Sequence, residues 1–368
     1  MKIALVHDWY YVNGGAEKVV KAITSIFPDC DHFALFDVMS DNDKLKVINT
    51  TQVKTTFIQK LPFISRFHRK YLQLYPYAIE QLDLRQYDLI ISSSSSVAKG
   101  VLTNSNQIHI CYCHSPMRYA WDLYHNYLHE SDFNWLAKLY AKKVLHKIRI
   151  WDIISSNRVD YFIANSQYIA QRINKIYKRD SKVIYPPVDV EYFSLDEKST
   201  RDYYFTASRM VSYKKIDLIV ETFAKNGKKL YVAGDGPELK KIKLKSKDNI
   251  VFLGRISNSE LRKYLQNAKA FIFAAEEDFG IAPVEAQACG TPVIAYGKGG
   301  SLETVIDNKT GLFFYEQIIE KLDEAITRFE KTTFNYNEIR NHAVKFSEER
   351  YKSEIIEFVK EVCAQKSN

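Results

Sequence analysis

The feature that most restricts this chain is a rhythm of short, almost continuously apolar runs separated by stretches of helical character. "KIALVHD", "YDLIISS", "IHICYCH" and "YFIANS" mark the first half, and "YYFTAS", "KLYVAGDG", "NIVFLGRI", "AFIFAA" and "PVIAYG" the second. A strand apolar on both faces has to be covered on both faces, and strands that alternate with helices imply a parallel sheet. The rhythm stops at "VIYPPVDVEYF", where Pro186 and Pro187 disfavour helix, and then restarts. At 368 residues the chain is long enough for two such units. The expectation is an α/β protein with two parallel-sheet domains facing a central cleft, residues 1–187 and 188–349. The amphipathic "EERYKSEIIEFVKEVCAQ" predicts a final helix, about 350–368, that packs back on the first domain.

Hydrophobic residues at 46% and charged residues at 26% fit a folded soluble protein and argue against disorder. The five cysteines are odd in number and mostly sit in apolar surroundings, which points to a reducing compartment. The opening "MKIALVHD" reaches charged residues too soon for a signal peptide, and no apolar run approaches the length of a membrane span. A cytoplasmic location follows as an expectation. The formal charge of +8 lies wholly in the first half: residues 1–187 hold 24 Lys and Arg against 16 Asp and Glu, and the remainder 28 against 28. That asymmetry calls for an anionic partner. Segments 54–76 and 134–151 combine Lys and Arg with aromatics and contain no Asp or Glu. The second places Trp135, Leu136, Leu139, Tyr140, Val144, Leu145, Ile148 and Trp151 at helical spacing with lysines between. Such a basic amphipathic helix lies either on an anionic membrane surface or against its own domain with a solvated basic face. The basic residues lie on no recognisable nucleic-acid motif, so nucleic acid is not an expected partner.

In open parallel sheets ligands bind beyond the carboxyl ends of the strands, so the residues there are the candidates. Gly14 and Gly15 follow the first strand and precede a helix, which suits either backbone approach to an anion or a plain turn. Arg209 and Lys214 lie between a strand and a helix in "FTASRMVSYKKIDLIVETF", which suits either a diphosphate or an exposed basic loop. In "AFIFAAEEDFGIAPVEAQACG", Glu277 falls in a loop, and Pro283 starts a helix that carries Glu285 and ends at Gly290. The two glutamates are therefore not on one helix face, and one strand-to-helix connection can aim both into the cleft. The alternatives are a solvated Glu277 and a Glu285 that complements the helix dipole.

The pair Glu277 and Glu285 within "EEDFGIAPVEAQACGTPVIA", with "SRMVSYKK" before and "GGSLETV" after, resembles the retaining glycosyltransferases of family 4. "ALVHDWYYVNGGAEKV", "ISSSSSVAKG", "CYCHSPMRYAWDLYHNYL", "VIYPPVD", "GDGPEL" and "FLGRIS" extend the likeness over nearly the whole chain. The "HSPMRYAWD" and "GGAEKV" versions are most similar to bacterial mannosyltransferases that build O-antigen or exopolysaccharide units on a lipid carrier. The resemblance implies the GT-B architecture of two Rossmann-like domains, with an acceptor-binding domain first and a donor-binding domain second. It implies that Arg209 and Lys214 bind the donor diphosphate and stabilise it as it leaves. Glu285 would hold the ribose hydroxyls, and Glu277 the transferred sugar beside the backbone of Phe279, Gly280 and Ile281. Arg255 and Ile256 would lie near the base, and Gly15 near the phosphates. His114, Arg118 and Gly14 would serve the acceptor side, with His114 also facing the sugar. The family usually has Gly after the motif lysine where this chain has Lys215, which leaves Lys214 or Lys215 as the phosphate ligand.

The resemblance also implies transfer with retention, in which the departing phosphate helps deprotonate the acceptor hydroxyl. The expected donor is a nucleotide sugar, GDP-mannose first and a UDP-sugar or other nucleotide hexose as the alternative. The expected acceptor is a lipid-linked saccharide at the inner face of the cell membrane, and no metal is required. A nucleotide-sugar epimerase and a non-catalytic binding subunit are the other readings. "DND" at 41–43 reads as a surface turn, and the serines 92–96 as a compact turn before a helix. His68, His125, His129 and His146 read as surface or packing residues.

Overall fold

The computed structural model describes residues 1–12, 14–130 and 134–367, with only the backbone described at 126, 129, 130 and 367. The side chain of His129 and the terminal residue of the expected last helix, Asn368, therefore lie outside the described residues. The chain forms two compact units, Met1–Tyr185 together with Tyr351–Asn368, and Pro186–Arg350. Both prolines of the expected linker thus begin the second unit.

The first unit is built on seven strands: β1 (Ile3–His7), β2 (Asp31–Ala34), β3 (Lys54–Thr55), β4 (Leu89–Ser94), β5 (Ile108–Cys113), β6 (Tyr161–Ala164) and β7 (Ser181–Val183). They lie in the order β3-β2-β1-β4-β5-β6-β7, every neighbouring pair parallel. All residues of β4 and β5 are buried, the two-sided cover that their continuous apolar character requires. On one face, Val19, Val20 and Ile23 of the helix Gly15–Ile26 pack with Leu5, Ile91 and Ile110. Tyr351, Ile355, Phe358, Val359 and Val362 of the helix Glu348–Ser367 join the same cluster. The other face packs Ala4, Val6 and Ile90 with Tyr75, Ile79, Leu145 and Ile148. Each buried Ile, Leu or Val contributes about 1.5–3 kcal/mol over exposure, so these two faces hold the unit together.

The second unit has six strands: β8 (Tyr203–Ala207), β9 (Leu230–Ala233), β10 (Ile250–Gly254), β11 (Ala268–Phe273), β12 (Val293–Tyr296) and β13 (Gly311–Phe314). Their order is β10-β9-β8-β11-β12-β13, again all parallel. Strand order reverses between β1 and β4 in one sheet and between β8 and β11 in the other. Such a reversal parts the crossing connections and opens a crevice at the carboxyl edge.

Three expectations need correction. Asp41-Asn42-Asp43 is not a surface turn: it opens the helix Asp41–Ile48, capped by Ser40, whose Oγ accepts from the Asp43 N–H at 3.2 Å. Ser92, Ser93 and Ser94 are not a turn but the end of β4. Serine is tolerated in this buried strand because its hydroxyls find partners, Ser92 Oγ lying 2.8 Å from His109 Nε2. The amphipathic stripe of segment 134–151 does not behave as one surface within the helix Trp135–Ser156. Leu145 and Ile148 are buried and Val144 and Trp151 pack beside them, whereas Trp135 (69% exposed), Leu136, Leu139 and Tyr140 stay exposed.

Candidate active site

The carboxyl edge of the second sheet gathers five loops. After β8, "SRMVSYKK" carries exposed Arg209 and half-buried Lys214. Lys214 Nζ donates to Glu277 Oε1, so the loops flanking the strand-order reversal meet through opposite charges. Lys215 has φ 55°, the left-handed region that glycine enters most easily, and is the N-cap of the helix Ile216–Asn226. Of the two lysines, Lys214 is therefore the one that turns to the carboxylate. After β9, Gly234 and Gly236 lie under the β8 loop, and a Cβ at Gly234 would sit 1.9 Å from the Ser208 carbonyl oxygen. That approach fixes the loop holding Arg209, with Met210 N–H bonded to the Asp235 carbonyl at 2.9 Å. After β10, exposed Arg255 reaches Asp235 at 3.3 Å, and Ile256 is half-buried beside it.

After β11 the chain turns at Glu277 and enters the helix Ile281–Ala288 through Gly280, whose φ is 89°. Phe279 is buried with its ring against Phe346, centroids 5.6 Å apart, which anchors the loop backbone. Glu285 is 4% exposed. It lies one turn into the helix, where no solvated role is open to it. The loop after β12 closes over this connection: Gly300 N–H donates to the Glu277 carbonyl at 2.8 Å. A Cβ at Gly300 would come within 2.3 Å of Phe279 Cα, so the glycine is sterically required.

At the carboxyl edge of the first sheet, Gly14 caps the helix that Gly15 begins. Gly14 is extended (φ −123°), and its N–H donates to Glu17 Oε2 at 2.9 Å. His114, half-buried after β5, donates its N–H to the Ser94 carbonyl at 2.8 Å and places Nε2 2.8 Å from Ser93 Oγ. Burial holds His114 down at about 3, so its ring is neutral at neutral pH. Arg118 is half-buried on the following turn. Gly14 and Gly15 follow β1 and His114 follows β5, all at the carboxyl edge of the first sheet, and Arg118 lies on the turn that follows His114. Arg209, Lys214, Glu277, Glu285, Phe279, Gly280, Ile281, Arg255 and Ile256 line the edge of the other sheet. Among the described residues no group of three or more His, Cys, Asp or Glu side chains is disposed to hold a metal, and no helix is long and apolar enough to cross a membrane.

Two family models divide the chain between them. Residues 13–192 match Glycosyltransferase Family 4, and residues 189–352 match Glycosyl transferases group 1. The chain carries two glycosyltransferase domains. Among similar proteins, the alpha-1,3/1,6-mannosyltransferase alg2 of Schizosaccharomyces pombe is 24% identical over 376 residues, covering 84% of this chain and 70% of that protein. The GDP-mannose-dependent alpha-(1-6)-phosphatidylinositol monomannoside mannosyltransferase of Mycobacterium tuberculosis is 25% identical, over 54% of this chain and 58% of that one. The solved structure of Anabaena Alr3699/HepE with UDP and glucose superposes with a TM-score of 0.70 at 18% identity, covering 98% of this chain and 99% of the other. That likeness establishes the two-domain GT-B fold.

Several polar residues of this glycosyltransferase were not singled out from its sequence. Asp8, at the end of β1, accepts from Ser95 N–H at 2.6 Å and Ala98 N–H at 2.8 Å, which ties the loop after β4 to β1. His7 and Glu17 are others, buried beside His114 together with Ser93 of the serine run read above as a turn. The signal was legible: "VHDW" ends an apolar strand with two ionisable residues at the edge where ligands bind.

Proposed function

We propose that this glycosyltransferase is a retaining mannosyltransferase that moves mannose from GDP-mannose to a lipid-linked saccharide in surface polysaccharide synthesis. The observation that carries the reading is the Lys214–Glu277 pair at the reversal of the second sheet, with Arg209 on the same loop. Both side chains keep some access to solvent, and a diphosphate, which carries more negative charge than one carboxylate, can take Lys214 in exchange for Glu277. Lys214 and Arg209 then meet the charge that grows on the leaving phosphate, and no metal is needed for it. The released Glu277 carboxylate accepts hydrogen bonds from the sugar hydroxyls beside Phe279, Gly280 and Ile281. Glu285 takes the ribose hydroxyls, while Gly15 adjoins the phosphates and Arg255 and Ile256 the base. His114, Arg118 and Gly14 serve the acceptor side. Mannose as the sugar is supported by the names of the two relatives, and GDP as the carrier by the mycobacterial one.

The reading includes an anionic membrane surface. Trp135, Leu136, Leu139 and Tyr140 are exposed on a helix that also bears Lys138, Lys142, Lys143 and Lys147, an arrangement that inserts rings and aliphatic chains between acidic headgroups. The basic segment 54–76 adds exposed Phe63 beside Arg66, Arg69 and Lys70. Attachment would be peripheral, at the inner face of the cell membrane.

The test is transfer from GDP-, UDP-, ADP- and dTDP-sugars to a lipid-linked saccharide, with the product's anomeric configuration read by NMR. Mannosyl transfer from GDP-mannose with retention and insensitivity to chelators is expected. Transfer of a different sugar replaces the donor, and epimerised nucleotide sugar without transfer refutes the reading.

A further inference from the structure

His114 is held through a buried chain of polar groups that the donor and acceptor roles above leave unused. Parallel register sets it up: β1 pairs with β4 with His7 opposite Ser93, and β4 pairs with β5, which His114 follows. His7 is 3% exposed, Glu17 6% and Ser93 0%, so no member can turn to water.

The hydrogens in this chain can be placed by elimination. His7 Nδ1 lies 3.2 Å from the Ser93 carbonyl oxygen and 3.1 Å from Ser93 Oγ. A carbonyl only accepts, so Nδ1 carries a hydrogen shared between both oxygens. The Ser93 hydroxyl is fully buried and, among the described residues, its Oγ has only His7 Nδ1 and His114 Nε2 as partners, so its own hydrogen has one acceptor to go to, His114 Nε2 at 2.8 Å. Nε2 of His114 is then an acceptor, and a neutral ring must carry its hydrogen on Nδ1. At the other end, His7 Nε2 faces Glu17 Oε1 at 3.5 Å, an ion-pair distance that favours a second hydrogen on His7. Glu17 Oε2 in turn accepts from the Gly14 N–H at 2.9 Å, so the same carboxylate holds the glycine turn. The titratable and charged groups around His7 are Glu17 from the first helix, Asp8 next in the chain, Tyr10 with its ring centroid 5.2 Å away, His32 from β2, and His114. Burial pushes His7 down, but the two carboxylates and the Ser93 carbonyl outweigh it and leave its pKa raised.

We propose that Ser93, backed by the buried His7–Glu17 ion pair, is a positioning residue that locks His114 in its Nδ1–H tautomer, so that His114 presents a hydrogen-bond donor and not a base. This deepens the reading of His114 given above and rests on it for its catalytic meaning. A donor at Nδ1 suits a sugar or acceptor oxygen. With Nε2 occupied by the Ser93 hydroxyl, the proton of the attacking hydroxyl goes to the leaving phosphate.

The experiment is long-range proton–nitrogen correlation NMR of the whole protein labelled with nitrogen-15 at histidine, with the His114 signals assigned from His114→Asn. In the unsubstituted protein His114 is expected as the Nδ1–H tautomer, unchanged between about pH 5.5 and 8. Ser93→Ala should move it to the Nε2–H form that imidazoles favour in water, and Ser93→Thr, which keeps the hydroxyl, should restore the original signal. An Nε2–H tautomer in the unsubstituted protein, a His114 that titrates near neutrality, or a Ser93→Ala spectrum with His114 unmoved would each overturn the proposal. The readout requires no substrate, so failure of the sugar-transfer reading and failure of the tautomer lock show in different experiments.

Discussion

Glu277 and Lys214 lie 63 residues apart in sequence and meet only because β8 and β11 are neighbours in the sheet. The sequence marked each as a candidate by residue type and by its place after an apolar run. Their contact was not legible, because strand order sets it and strand order is not written locally. The same holds for His7, Glu17 and Ser93, whose partnership depends on the β1–β4 register. At this scale the two glutamates should fail differently. With Glu277 holding the sugar as proposed, Glu277→Gln should lower turnover by about 10- to 100-fold, the worth of one charge-assisted hydrogen bond, with donor KM little changed. Glu285→Gln should instead raise donor KM by about tenfold with the smaller effect on kcat. Steady-state kinetics on both variants separate the roles, and equal effects on kcat and KM in the two would erase the distinction.

Strands were the most legible elements, since a run apolar on both faces has few places to go other than a covered sheet. The helix Ile281–Ala288 was also legible, through Pro283 in its first turn and Gly290 beyond its end, with φ 73° at Gly290. Polar elements were read less well. Ser40 as a cap turned Asp41-Asn42-Asp43 into a helix start, and cross-strand histidines made a strand of Ser92–Ser94. The helix Trp135–Ser156 shows why periodicity alone falls short: one stripe is core at Leu145 and Ile148 and exposed at Trp135 and Leu139. Charge reversal of Lys138, Lys142, Lys143 and Lys147 to Glu should release the protein from vesicles rich in phosphatidylglycerol, each lysine being worth about 1 kcal/mol at such a surface. Sedimentation that is the same for both proteins would return this face to a solvated one.

Across the whole molecule, acid acts mainly on the first unit, which holds the most strongly lowered histidines, although burial lowers His342 of the second unit as well. His32 and His109 are pushed by burial down to about 4, and His114 to about 3, and all three belong to the first unit. Their unfolded counterparts take protons below about pH 6.5, so from there down to about pH 4 the unfolded state binds more protons and stability falls with pH. His7 has the opposite sign: raised, it stabilises fully below the unfolded value and loses that contribution as pH rises through its folded pKa. All four tryptophans, Trp9, Trp121, Trp135 and Trp151, lie in the first unit, so their fluorescence reports on it alone. The urea midpoint followed by fluorescence should drop between pH 6.5 and 4.5, by on the order of a few kcal/mol in stability. A flat midpoint over that range would mean that these histidines charge without cost. The central claim concerns the other unit, that Lys214 leaves Glu277 to bind the donor diphosphate. It is tested most directly by calorimetric titration of GDP into the unsubstituted protein, Lys214→Ala and Glu277→Gln. Binding is predicted to weaken about tenfold or more in Lys214→Ala, by loss of one charge-assisted contact, and to hold or tighten in Glu277→Gln, which frees the lysine. Equal GDP affinity in Lys214→Ala and the unsubstituted protein would contradict it.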